Sequence, residues 1–64
     1  MFTKEQISFM RGIGLNLDFS NLSSEDYVQI EEIVGDVYTA EVQEHEKEVT
    51  PTVLLCESIL DKLV

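Results

Sequence analysis

Carboxylates dominate the groups in this sequence that could do chemistry. Thirteen Asp and Glu residues stand against four Lys and Arg, for a formal net charge of −9. Nine of the acids fall between Glu25 and Glu48, where Lys47 is the only base, so that segment carries −8. Its densest part, Glu41, Glu44, Glu46 and Glu48, surrounds His45, the one histidine of the chain. Carboxylates work as general acid and base where a pocket holds them and moves their pKa values. A chain of 64 residues has room for one modest core and little room for such a pocket. Glu31-Glu32 and the run from Glu41 to Glu48 therefore read as a solvated acidic surface, and no catalytic residue is assigned.

The other reactive groups lead the same way. Cys56 is the only cysteine, so no intramolecular disulfide and no Cys/His zinc set can form. It lies on an apolar helical stripe beside Glu57, the setting of an inert core thiol rather than a nucleophile. Asn16, Asp18 and Ser20 alternate as calcium ligands do. An EF-hand loop counted from Asn16 would need Gly and Glu where the chain has Asn21 and Tyr27, so the match fails at both diagnostic positions. Small acidic helical domains include acyl carrier proteins, which carry Asp-Ser-Leu at a helix start. Neither Asp18-Phe19-Ser20 nor Asn21-Leu22-Ser23 fits that motif. No cofactor and no metal is expected.

Charge and hydropathy exclude further classes. A chain at −9 repels phosphate backbones and anionic membrane surfaces, which argues against direct nucleic-acid binding. Nothing approaches the ~18 consecutive apolar residues of a membrane span. The first 21 residues lack a basic segment followed by a long apolar run, so no signal peptide is expected and the cytoplasm is the expected location.

Three helices must position these groups. Thr3 and Gln6 form a capping box ahead of a first helix that sets Phe2, Gln6, Phe9, Met10 and Ile13 on or near one face. Gly12 and Gly14 bracket its end, with Gly14 suited to the left-handed C′ position. Leu15, Leu17 and Phe19 then alternate with Asn16, Asp18 and Ser20. That is formally a strand pattern, but a lone strand has no partner, so it reads as an extended connector plugging the core. Leu22 and Tyr27 suit a hydrophobic staple, and Ser23 with Asp26 a second capping box. Tyr27, Ile30, Ile33, Val34, Val37 and Tyr38 make one stripe, and the packed part of this helix ends near Ala40 or Val42. Gly35 interrupts it at a cost of about 1 kcal/mol, which a close helix approach or slight kink would explain. Thr50 and Pro51 mark a third start. That helix sets Val53, Cys56, Ile59, Leu60 and Leu63 on one side, while Leu54 and Leu55 fall outside the stripe and offer an interface.

The expected architecture is all-α: a small three-helix bundle in a single domain, 1–64, with an extended connector between helices 1 and 2. The helices are placed at about 4–13, 24–44 and 51–63, bounds read from caps and periodicity.

The strings LSSEDYVQIEEIVGD and LLCESILDKL add a resemblance. The sequence resembles a family of short acidic proteins from Gram-positive bacteria and their phages or mobile elements. The matching residues are Leu22, Ser23 and Asp26; Ile30, Glu31, Val34, Gly35 and Asp36; and Cys56 to Leu63. Gln43 to Glu48 departs from the family's pattern, in which a loop with Gly or Asp precedes the last helix. The resemblance implies a context and no mechanism.

The expected function is thus a non-enzymatic protein–protein interaction domain, phage- or mobile-element-associated. It would act through a protein partner or through self-association as a homodimer, with Leu54 and Leu55 as the contact. The alternative is an acidic nucleic-acid mimic that inhibits a DNA-binding host protein, presenting Glu32, Asp36, Glu41, Glu44 and Glu48.

Overall fold

Each helix begins at a side chain that accepts from a backbone N–H the helix itself leaves without an acceptor. In the computed structural model, which describes residues 2–63, the helices are α1 (Lys4–Gly12), α2 (Ser24–Glu44) and α3 (Pro51–Asp61). Thr3 Oγ1 accepts from the N–H of Gln6 at 3.1 Å, and Gln6 Oε1 accepts from that of Thr3 at 2.9 Å. Ser23 and Asp26 repeat the exchange at 3.2 and 3.0 Å. Thr50 Oγ1 accepts from the N–H of Val53 at 3.2 Å, and Pro51 follows in the first turn, where its missing N–H costs nothing. α3 ends two residues short of the sequence-based bound of 63, its last turn closing through Leu63 N–H to the carbonyl of Leu60.

The end of α1 turns the chain into the core. The N–H of Leu15 donates to the carbonyl of Met10 at 2.9 Å and that of Gly14 to Arg11 at 3.2 Å. This is the Schellman pairing, and it requires the left-handed backbone that Gly14 adopts at φ 101°. Its accompanying apolar contact joins Leu15 to Met10, and both are completely buried.

From there the connector runs without strand pairing among the described residues. Its alternation does a different job. Leu15 and Phe19 are buried and Leu17 is half-buried, while Asn16, Asp18 and Ser20 face solvent. Asp18 Oδ1 accepts from both the hydroxyl (2.6 Å) and the N–H (3.1 Å) of Ser20. Those two bonds hold the Asp18 carboxyl below its ordinary pKa. The groups resembling a calcium loop are thus a closed Asx turn.

α2 and α3 make the main helix pair, and α1 with the connector seals the bundle. Met10, Leu15, Ile30, Val34, Cys56 and Ile59 are fully buried, with Phe2 and Phe19 closing one end edge-to-face at 6.3 Å. Gln6 is the buried polar member of this interior. Its Nε2 donates to Ser58 Oγ at 3.0 Å, and its Oε1 accepts from Lys62 Nζ at 2.8 Å as well as from the cap. Ser58 in turn donates to the carbonyl of Leu55 at 2.7 Å.

Two expectations for α2 need correction. Tyr27 was placed on the packed stripe, yet it is 45% exposed. In the first turn it meets only the rim of a cavity of about 140 Å³ shared with Phe2, Phe19, Ser20, Leu22 and Lys62. For Gly35 the expectation was a close helix approach or a slight kink, and only the first of these fails. A Cβ placed there would meet nothing within 4 Å among the described residues. The Thr39 hydroxyl donates to the Gly35 carbonyl at 2.9 Å, a back-bond that bends helices slightly.

The two glycines should therefore respond oppositely to alanine. Gly14→Ala is expected to destabilise by about 1 kcal/mol, because the left-handed conformation is strained for any residue with a Cβ. Gly35→Ala is expected to stabilise by about 1 kcal/mol, since it gains helix propensity without a clash. Urea unfolding followed by circular dichroism measures both, and a destabilised Gly35→Ala would show that the site is not open.

Candidate interaction surfaces

Leu54 and Leu55 are neighbours in sequence but face different surroundings. Leu54 is 55% exposed, whereas Leu55 is half-buried and packs against the core. A helix turns about 100° per residue, so one of two adjacent leucines comes to face α1 while the other faces out. Together with Glu5, Pro51 and Ser58 they line a shallow depression between α1 and α3. The proposed pair reduces to Leu54 as the free contact, with Leu55 as its support.

The acidic residues also divide. Glu32 and Asp36 are exposed on the outward side of α2. Glu41 is half-buried and falls opposite Glu32, nine residues on at about 3.6 per turn. Glu44 is exposed in the last turn, and Glu48 lies beyond the helix, where the chain turns at His45 to Lys47. The set expected to form one acidic surface is thus spread over two sides and a loop.

Glu41 is committed to the corner between α2 and α3. Its Oε1 accepts from Thr50 Oγ1 at 3.3 Å and stands 3.6 Å from His45 Nε2. The side chain that caps α3 is therefore tied to the end of α2. Glu41, Glu44 and His45 offer one ligand atom each within 4.8 Å of one another. That donor set suits a borderline divalent cation, but the engagement of Glu41 with Thr50 already accounts for its placement. A second tie lies one side away, where the Tyr38 hydroxyl donates to Glu57 Oε1 at 3.2 Å. That bond, with the glutamate's charge, raises the phenol pKa.

Cys56 is fully buried and belongs to the core cluster with Ile30 and Val34 of α2 and Leu15 and Phe19 of the connector. Burial raises its thiol pKa above the ordinary value, and the nearby Glu41 carboxylate raises it further. The thiolate is what reacts, so this arrangement suppresses reactivity. No helix among the described residues is long and apolar enough to cross a membrane.

Compared with protein-family models, curated proteins and solved structures, the chain finds no match.

The buried thiol gives a measurable pH dependence. Because its pKa is higher folded than unfolded, its contribution to stability is complete below the unfolded value and is lost as pH rises through the folded one. Labelling with a disulfide reagent near neutral pH is expected to proceed only as fast as the protein opens, and to become immediate in urea. Rapid labelling of the folded protein would contradict the enclosed position of Cys56.

Proposed function

We propose that this chain is a non-enzymatic protein–protein interaction domain acting in the cytoplasm, in association with a phage or mobile element. The observation that carries the reading is the set of large apolar side chains held out from an acidic surface. Leu54 is 55% exposed, Val28 64% and Val49 73%, on a molecule whose whole accessible surface is 4536 Å². Burying Leu54 with the surrounding depression would remove apolar area from water at about 25 cal/mol per Å². The phage or mobile-element context draws only on the resemblance of the α2 and α3 segments to short acidic proteins from those sources.

Leu54→Glu tests the contact without disturbing the core. The variant is expected to unfold within about 0.5 kcal/mol of wild type, as surface substitutions do, and to lose what wild-type protein retains from host extract. Leu55→Glu is expected to destabilise the fold itself by about 2 kcal/mol or more, since it buries an unpaired charge. Retention unchanged by Leu54→Glu would remove that residue from the contact.

An acidic nucleic-acid mimic is the second reading, and the exposure of Glu32 and Asp36 along α2 favours it. Under it, Glu32→Lys with Asp36→Lys abolishes capture of a DNA-binding protein, and raised salt weakens capture by the wild type. Capture indifferent to both changes would exclude mimicry.

A further inference from the structure

No close packing among the described residues requires a glycine at position 35. It sits in the middle of the longest helix, where glycine costs about 1 kcal/mol against alanine, and the space its side chain would fill is open. Gly35 also forms one wall of a groove of about 380 Å³ between α2 and α3, lined with Glu31, Leu60 and Leu63. Leu60 and Leu63 are half-buried residues that pack inward against the core, so the floor of the groove is apolar and fixed.

Beyond the groove, two further apolar side chains stand on the same side of α2. Val28 and Val42 lie seven residues before and after Gly35, a spacing that returns to nearly the same side of a helix. Both are exposed, Val28 at 64% and Val42 at 39%. Thr39 lies on the same side, with its hydroxyl taken up by the Gly35 carbonyl. This side of α2 is thus a seam about 21 Å long at 1.5 Å per residue, with exposed Val28 and Val42 at its ends and bare backbone at its centre. Seven-residue spacing supplies one of the two apolar positions per heptad that a second helix packs against, and Leu60 and Leu63 across the groove add to the apolar surface.

Charge selects the occupant. Glu31 borders the seam on the groove side, and Glu32 with exposed Asp36 on the other. A second copy of this chain would set these carboxylates against their own kind, in a segment that carries −8. Like charges along the flanks of a helical seam reject pairing, and opposite charges select it.

We propose that the Val28–Gly35–Val42 seam, with the Leu60–Leu63 groove beside it, docks an amphipathic helix of another protein whose apolar stripe is flanked by Lys or Arg. The partner's helix approaches most closely at Gly35, where the missing side chain lets the backbones near each other. This rests on the reading of the chain as an interaction domain, but it assigns a different face from Leu54.

The test uses the full chain and two synthetic helical peptides of about 20 residues, a length matched to the seam. Both carry Leu and Ala at heptad spacing; one has Lys at the flanking positions and the other Glu. Binding is followed at about 0.15 M salt by fluorescence anisotropy and by backbone amide chemical shifts. The Lys-flanked peptide is expected to bind and to move the amides of Val28, Gly35, Val42, Leu60 and Leu63, and the Glu-flanked one to do neither. Val28→Ser with Val42→Ser leaves every charge in place and is expected to weaken binding by about tenfold or more, equivalent to 1.4 kcal/mol. Gly35→Leu, which fills the seam on an open side of the helix, is expected to weaken it likewise while the protein remains folded. Equal binding of wild type and both variants would mean attraction by charge alone and would overturn the proposal. Shifts centred on Leu54 would also overturn it while leaving the interaction-domain reading intact, as would a wild-type dimer disrupted by Gly35→Leu.

Discussion

The buried side chain of Gln6 is the joint on which the bundle depends. A core this small gains little from each added helix, and α1 meets the other helices less extensively than α2 and α3 meet each other. Gln6 makes up part of that difference. It caps its own helix through Thr3, binds Ser58 in the middle of α3 and accepts from Lys62 at its end. A buried amide is costly without partners and useful with them. Here both ends of the amide are satisfied, so α1 is fixed in register against α3 as well as packed against it.

That joint explains where the apolar faces end up. With α1 and the connector covering one side of the α2–α3 pair, Cys56 and Ile59 are enclosed and Leu55 is half-covered. Among the described residues, Val28 and Val42 on another side of α2 stay exposed. Val28, Gly35 and Val42 lie there with acids on both flanks, and Leu60 and Leu63 pack against the core while lining the groove. The exposed apolar seam is a consequence of having three helices where a fourth would complete the layer around α2.

The corner between α2 and α3 follows a similar economy. Thr50 both caps α3 and donates to Glu41, and His45 lies against the same carboxylate. An acid at the C-terminal end of a helix opposes the helix dipole, and α2 has no basic residue in its last turn. The hydrogen bond from Thr50 gives Glu41 a local reason to be there, and it places the carboxylate where it also discourages ionisation of Cys56.

Sequence by itself determined the local features, because each depends on residues within a few positions of one another. The capping boxes at Thr3–Gln6 and Ser23–Asp26, the Thr50-Pro51 start and the left-handed Gly14 were all legible from type and spacing, and so were the all-α class and the plugging role of Leu15 and Phe19. What sequence could not decide was which of two chemically equivalent neighbours faces another helix. Leu54 and Leu55 are the same residue one position apart, and only the placement of α1 separates them. Tyr27 continues an apolar stripe, yet it reaches only the rim of the cavity it shares with Phe2 and Phe19. Glu41 and Glu32 are both acids on one helix, but they face opposite sides. Gly35 suggested a close helix approach or a slight kink, and among the described residues a Cβ at that position would meet nothing within 4 Å. Helical periodicity sets direction around an axis; what stands in that direction depends on how the helices pack across the whole chain.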